Sequence, residues 1–275
     1  MSQKTFIGGT SYEIMQSRTL VNGTVKEIFQ GRTLVNGTGY DIVLGRPLYK
    51  YNIGETVKIY VNGVLTEFIV VHHGNPDTSM YVGCDDGTWL LQKNIQTLKA
   101  FDGKGIYRDS PIHSYLNNEY VSAFGSDVQA IMQEVKIPYT IPDFRPNIAG
   151  DTTEIFYGAN GLSAKAFILS ANELGFIYDT STVTLPDDGL KLDYFEASQL
   201  QEGTVVGAED RISMHNGSPT EYWTRTPWIS GNDWIATIDD DGTTSGVGYP
   251  YSLGVRPCII LPSKTRTDRT GLIRP

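Results

Sequence analysis

The heptapeptide RTLVNGT stands at residues 18–24 and again, letter for letter, at residues 32–38. The match is the clearest part of a longer period. TFIGGTSYEIMQSR (5–18), TLVNGTVKEIFQGR (19–32) and TLVNGTGYDIVLGR (33–46) align without a gap, so Gly9, Gly23 and Gly37 fall in register. So do Thr10, Thr24 and Thr38, then Ile14, Ile28 and Ile42, then the closing arginines. Asn-Gly between short β-prone runs is a strong hairpin signal, because both central residues of a type I′ turn need positive φ. With Asn36-Gly37 as the turn, Val35 faces Thr38 and Thr33 faces Tyr40. Alternation then gathers Val35, Tyr40 and Ile42 on one side of the ribbon. The same register groups Ile7, Tyr12 and Ile14 in the first unit, and Val21 and Ile28 in the second, with Lys26 as the one interruption. Such ribbons have one apolar side and too little chain to cover it, and isolated hairpins are marginal in water. The missing cover is expected from the downstream domain or from other copies of the chain, three of them wound about an axis being one solution.

Beyond residue 50 the pattern changes. GETVKIYVNGVLTEFIVVHHG reads as two strands around Asn62-Gly63, and MYVGCDDGTWLLQ as a second hairpin around Asp86-Gly87. SPIHSYLNNEYVSAFG places Ile112, Tyr115, Leu116 and Tyr120 at helical spacing after a Ser-Pro start. SDVQAIMQEV reads as a second short helix capped by Ser126, and KAFILSANELGF as a strand joined to a short helix. Residues 157–216 hold few periodic segments and must be ordered by packing against the rest. The order fits an α+β domain with helices beside an antiparallel sheet. The domain organisation expected is a repeat segment at 1–48, an α+β domain at 49–262 and a polar tail at 263–275.

Composition narrows the function. With 29 Gly, 16 Tyr and a net charge of −9, the chain favours strands and turns and lacks the basic stripe of a nucleic-acid binder. Residues 1–30 show no basic stretch followed by an apolar core, so no signal peptide is expected, and no run approaches a membrane span. Cys84 and Cys258 match no metal or redox spacing and read as buried thiols. His72, His73, His113 and His215 show no ligand spacing, and neighbours such as His72 and His73 point to opposite faces unless a bulge intervenes. No phosphate loop, dinucleotide fingerprint or nucleophile elbow is present, so no catalytic residue, metal ligand or cofactor is expected. IDDDGTT (238–244) lacks the spacing of a calcium loop and reads as a turn through Asp241-Gly242.

The stretch 228–252, WISGNDWIATIDDDGTTSGVGYPYS, has the composition of a binding surface. Rigid aromatics there alternate with small polar residues that adapt their hydrogen bonds. Its candidate ligand-binding residues are Trp228, Ser230, Asn232, Asp233, Trp234, Asp239, Asp240, Asp241, Thr243, Tyr249 and Tyr251. Trp223, by contrast, reads as core.

Two resemblances add to this reading. The units at 5–46 resemble tandem repeats near the start of bacteriophage tail and tail-fibre proteins, where they serve as shaft or attachment segments in trimers. EYWTRTPW (221–228) and GVRPCIILP (254–262) resemble the closing motifs of an uncharacterised domain family common in gut bacteria and their phages. IHSYLNNEYV and AFILSANELGF match it too, so the likeness spans residues 51–262. That family is similar in layout to the formylglycine-generating-enzyme branch of the C-type lectin fold. That branch works through cysteine chemistry, and Cys258 inside an apolar strand does not fit it. The resemblances imply a β-prism-like stem, a lectin-like head and a homotrimer. They imply a phage receptor-binding protein that meets a host-surface protein or glycan and other tail proteins. Assembly in the host cytoplasm into the virion would account for the missing signal peptide. They also imply a loop at 223–252 of the kind diversified by retroelements. A structural baseplate or decoration protein and an enzyme of the formylglycine-generating type stay open as alternatives.

Overall fold

The computed structural model describes residues 45–142, 153–177, 185–199, 206–228 and 234–275, together with six strands between residues 3 and 43. Asn62 and Gly63 take φ of 51° and 76°, the left-handed pair that a two-residue hairpin demands. Strands Thr56–Val61 and Val64–His73 therefore fold back with Val61 opposite Val64. They form one edge of a five-stranded sheet that continues through Gly87–Gln92 and Pro257–Pro262 to Ala166–Ile168. Every residue of Gly87–Gln92 is buried, which suits a central strand covered on both faces. Trp89 sits at the middle, its ring edge-on to Tyr81 and Phe167 with centroids 5.5 Å away in each case. Burial of one such aromatic contributes about 2–3 kcal/mol, and Trp89 Nε1 still finds the Gly74 carbonyl at 2.9 Å.

A second five-stranded sheet runs in the order Thr97–Ala100, Ser252–Val255, Tyr222–Trp228, Trp234–Ile238 and Thr244–Gly248. The chain crosses from this sheet to the first at Arg256, between Ser252–Val255 and Pro257–Pro262. Arg256 pins the crossover, donating from Nε to the Gln92 carbonyl and from Nη1 to the Arg211 carbonyl, each at 3.1 Å. The domain is thus dominated by sheet, with few and short helices.

Ser110 caps the first helix, its Oγ accepting from His113 N at 3.1 Å, with Pro111 in the first turn. The helix starts as Pro111–Tyr115 and widens to a π turn over Leu116–Tyr120, burying Ile112, Leu116 and Tyr120. Three expectations are corrected. The cap of Ser126–Ile131 is Gly125, not Ser126, and Asp127 Oδ1 accepts from Val128 N instead. Gly87 N closes a turn onto Cys84 O, but the chain before it does not return along Gly87–Gln92. Val82 bridges Lys136, because strands Val64–His73 and Pro257–Pro262 already occupy both sides. After Ala166–Ile168 the chain forms hydrogen-bonded turns at 171–175 and not a helix.

A bulge between Val70 and His72 resets the histidine register. Arg211 orders the irregular third quarter of the chain. It donates to the carbonyls of Leu174, Glu196, Val206 and Gly207 and lies over the Phe176 ring at 4.6 Å. The closing segment, expected to be a polar tail, packs on the domain. Arg266–Thr267 pairs with Ile273–Arg274, Pro47 bridges Arg266, and Leu272 and Ile273 are buried. Gly45 and Arg46 meet this segment. Arg266 donates to the Gly45 carbonyl at 2.7 Å and Thr267 N to the Arg46 carbonyl at 3.0 Å.

In the repeat segment, Gln3–Ile7 pairs with Thr10–Ile14, Arg18–Val21 with Thr24–Glu27, and Gln30–Val35 with Thr38–Val43. Val35 lies opposite Thr38 and Thr33 opposite Tyr40. The first and third pairs join into a four-stranded sheet, while the middle pair forms its own two-stranded unit. The Asn-Gly turns themselves, and the apolar face expected of Ile7, Tyr12, Ile14, Val21, Ile28, Val35, Tyr40 and Ile42, lie outside what is described.

Candidate functional site

The motif strand Tyr222–Trp228 carries two different environments. Its middle, Thr224-Arg225-Thr226, is fully buried. Arg225 spends all five of its N–H groups there. Two go to Glu173 at 2.6 Å each, Nε to the Pro138 carbonyl at 2.8 Å, and one each to the Ile168 and Asp188 carbonyls at 3.1 Å. Glu173 also accepts from Tyr81 Oη at 2.7 Å and from Ser170 N at 3.0 Å. Thr226 Oγ1 accepts from Ala171 N at 2.9 Å, so its own proton goes to Asp188 Oδ1, also at 2.9 Å. Thr140 Oγ1 lies 3.3 Å from Asp188 Oδ2.

Two carboxylates and one guanidinium share this enclosure. Glu173 takes the two-point pairing, leaving Asp188 with hydroxyl donors alone. Burial pushes the Asp188 carboxyl up to about 7, against the Arg225 charge and the Thr226 hydrogen bond, which lower it. None of these side chains reaches solvent, so the cluster fastens three chain segments and offers no substrate a way in.

The far end of the same strand is half-buried. Trp228 lies opposite Trp234, and Trp234 opposite Gly248 on the sheet-edge strand Thr244–Gly248. A β-carbon at Gly246 would sit 3.0 Å from both Trp228 Cδ2 and Trp234 Cε3, so both indoles lie against the strand where a side chain would otherwise stand. Tyr251 ring atoms come within 4 Å of the same construction at Gly248. Trp234 is 45 % exposed and Tyr251 66 %, while Trp228 is half-buried. Tyr249 packs on the core, and its carbonyl accepts from Phe101 N and Asp102 N at 3.1 and 3.0 Å.

The acidic candidates lie elsewhere. Asp239, Asp240, Asp241 and Thr243 form the turn that joins Trp234–Ile238 to Thr244–Gly248. At ~3.4 Å per residue this turn is about 17 Å along the hairpin from Trp234. Gly242 takes φ 84° in the turn, as expected for Asp241-Gly242. Asp241 Oδ1 accepts from Thr243 N at 2.9 Å and Thr243 Oγ1 at 2.7 Å, and those bonds hold its carboxyl below the usual range. Sequence composition therefore grouped residues that the hairpin separates into an aromatic end and an acidic turn. Ser230, Asn232 and Asp233 lie outside the described residues.

Composition also passed over Glu221, which joins the acidic end. Its Oε1 accepts from Thr237 Oγ1 at 2.7 Å, and burial raises its carboxyl, with nearby Asp239 adding to the effect. Its position one residue before the motif strand gave no signal. His73 bonds the Tyr51 carbonyl at 2.9 Å, and His113 lies edge-on to Tyr107, its protonation disfavoured by burial. His72 Nδ1 lies 2.8 Å from Asp193 Oδ2 outside hydrogen-bond alignment. Cys84 and Cys258 are both free and buried, and burial pushes the Cys84 thiol up to about 12. Among the described residues, no three of His, Cys, Asp and Glu gather as a metal site, and no helix is long and apolar enough to cross a membrane.

Two sheets joined through a buried arginine, with an aromatic edge left uncovered, define the class: a β-rich domain with short helices and a solvent-facing end. A family model, described as a domain of unknown function (DUF6273), matches residues 85–263, more than half of the chain. The chain belongs to that family. The matched stretch holds Glu173, Asp188, Arg225 and Arg256 together with the aromatic edge, and leaves out the repeats and the Asn62-Gly63 hairpin. No curated protein matches the chain, and no solved structure does.

Proposed function

We propose that this chain is a recognition protein of the phage-tail type, in which the repeat segment assembles and the domain that follows presents a binding face to a host surface. One observation carries the reading. Trp234 and Tyr251 stand exposed beside a sheet-edge strand whose Gly246 and Gly248 leave room for the aromatic rings to lie against it. Exposed rigid aromatics supply contact area at small entropic cost. The buried cluster supports the face from behind, because Thr226, bonded to Asp188, lies two residues from Trp228. A face on a regular strand keeps its geometry better than one on a free loop.

The lectin-like layout, the phage setting and the trimer rest on the sequence resemblances and belong to this proposal. The acidic turn is not part of the face, and no catalytic residue is assigned. The test replaces Trp234 and Tyr251 by Ala together and measures adsorption of labelled protein to bacterial cells that the wild-type chain binds. Loss of two aromatic anchors is expected to weaken binding by at least ~30-fold, about 2 kcal/mol, with an unchanged melting temperature. Undiminished adsorption by the folded double variant would remove the reading.

A further inference from the structure

Both edges of the first five-stranded sheet are closed from within the domain. Along Thr56–Val61, Lys58 N donates to the Gly271 carbonyl at 2.8 Å, and Asn62 N, just past the strand, to the Ala123 carbonyl at 2.6 Å. At the other edge the Asn117 side chain takes the place of a strand. Its Oδ1 accepts from Lys165 N and Ala166 N at 2.8 and 3.3 Å, and its Nδ2 donates to the Ala166 carbonyl at 3.0 Å. Open strand edges invite pairing with other chains, and covering them prevents it.

One stretch inside the same sheet is left open. Val61 and Val64 flank the two-residue turn and form its hydrogen-bonded pair. Val64, Thr66 and Phe68 therefore bond toward Thr56–Val61, while Leu65 and Glu67 turn their backbone groups the other way. Glu67 finds a partner there, its carbonyl accepting from Lys93 N at 2.9 Å. The next place in that ladder, opposite Leu65, would fall to Ile95, but the chain has already left the sheet. Ile95 N donates to the Met214 carbonyl and Gln96 N to the Val255 carbonyl, each at 2.9 Å. Among the described residues, the Leu65 N–H and C=O find no hydrogen-bond partner. A groove of about 460 Å³ opens beside them, lined in part by Lys58, Val64, Leu65, Glu67 and Asn94.

The walls add apolar surface and charge. Val64 is 66 % exposed and Leu65 47 %. Lys93 Nζ is held by Glu67 Oε2 at 2.8 Å. Lys58 also stands opposite Glu67 in the strand register, so two ammonium groups flank one carboxylate. The groove is thus locally basic on a chain of net charge −9.

We propose that this groove binds an extended acidic segment of a partner protein, which adds a short strand beside Val64–Glu67 and fills the place in the ladder that Ile95 leaves. Leu65 supplies one donor and one acceptor, Val64 and Leu65 the apolar contact, and Lys58 the preference for a carboxylate. The site shares no residue with the aromatic edge, so it is a second contact surface and stands apart from the recognition reading.

The experiment measures fluorescence anisotropy of labelled, capped hexapeptides against the full-length chain. The peptides alternate Val and Thr, with one Glu placed at each position in turn. Matching sets carry Lys in place of Glu, or Pro at the two central positions. The best Glu peptide is expected to bind, and its Lys counterpart to bind ~5-fold more weakly. The Pro counterpart, which lacks the N–H groups a ladder needs, should show no binding at ~1 mM. Adding the Glu peptide should slow hydrogen exchange at Leu65 N–H by at least ~10-fold. Lys58→Glu should reverse the order of the Glu and Lys sets. Lys58→Ala, which places no like charge opposite Glu67, should make the two sets equal, so the charge assignment does not depend on Lys58→Glu folding. The Trp234→Ala, Tyr251→Ala double variant should bind the peptides as wild type does. The inference is overturned if no Glu peptide binds at ~1 mM, if the Pro set binds as well as the Glu set, or if Leu65 exchange is unchanged. It is equally overturned if Lys58→Ala keeps the wild-type preference or the folded double variant loses the peptides.

Discussion

Arg225 and Glu173 form a two-point ion pair, with both nitrogen–oxygen distances 2.6 Å and neither side chain exposed. The pair lies 52 residues apart in sequence and ties the motif strand to the turn at 171–175. Removing one partner strands a buried charge, which costs more than the pair itself contributes. Glu173→Gln is therefore expected to destabilise the domain by about 3–5 kcal/mol in urea unfolding monitored by tryptophan fluorescence. A loss below ~1 kcal/mol would show that the guanidinium is compensated by its carbonyl partners alone.

Asp188 gives the domain a pH dependence of unusual sign for a carboxylate. Its folded value, about 7, is above the unfolded one, so the folded chain holds the extra proton between the two. Stability from this group is present below the unfolded value, falls as pH rises towards about 7, and is flat beyond. The slope approaches ~1.4 kcal/mol per pH unit where one proton is lost on unfolding. Asp188→Asn should flatten the curve between pH 5 and 7, with the wild-type-minus-variant difference read from melting temperatures. Parallel curves for the two proteins would dismiss the assignment.

Gly45 leaves no room for a side chain. A β-carbon there would fall 1.3 Å from the Thr267 carbonyl oxygen, on backbone that Arg46 and Arg266 hold in place. Gly45→Ala should cost about 1–3 kcal/mol, as overpacking does, measured by calorimetry. The matching change at Gly31, its equivalent one period earlier, serves as the comparison.

Both thiols should be silent in the native state. Cys84 and Cys258 are buried, and burial disfavours the reactive thiolate in each. Titration with an aromatic disulfide reagent should show no rapid reaction before denaturant is added and two equivalents after it. Fast native labelling would place one of them in a more open setting.

Local features were legible because their causes are local. Asn62-Gly63 specified its hairpin through φ alone, and Ser110-Pro111 specified a helix start through capping. Asp86-Gly87 misled for a non-local reason. The turn forms, but the places beside Gly87–Gln92 go to strands from distant parts of the chain. The buried cluster was invisible for the same reason, since Arg225 finds its partners 37 to 87 residues away. The binding stretch was legible in composition and illegible in space. Four residues of strand lie between Trp234 and Asp239, a short distance in sequence that places the two at opposite ends of a hairpin.

Gly45 and Arg46 close the third repeat and are at the same time built into the domain through Thr267, Arg266 and Glu55. The junction is fixed from its far side, by residues of the domain itself. A chain that gained or lost one whole fourteen-residue unit before residue 45 would keep the same weld. Its reach would change in steps of one unit while the aromatic face stayed as it is.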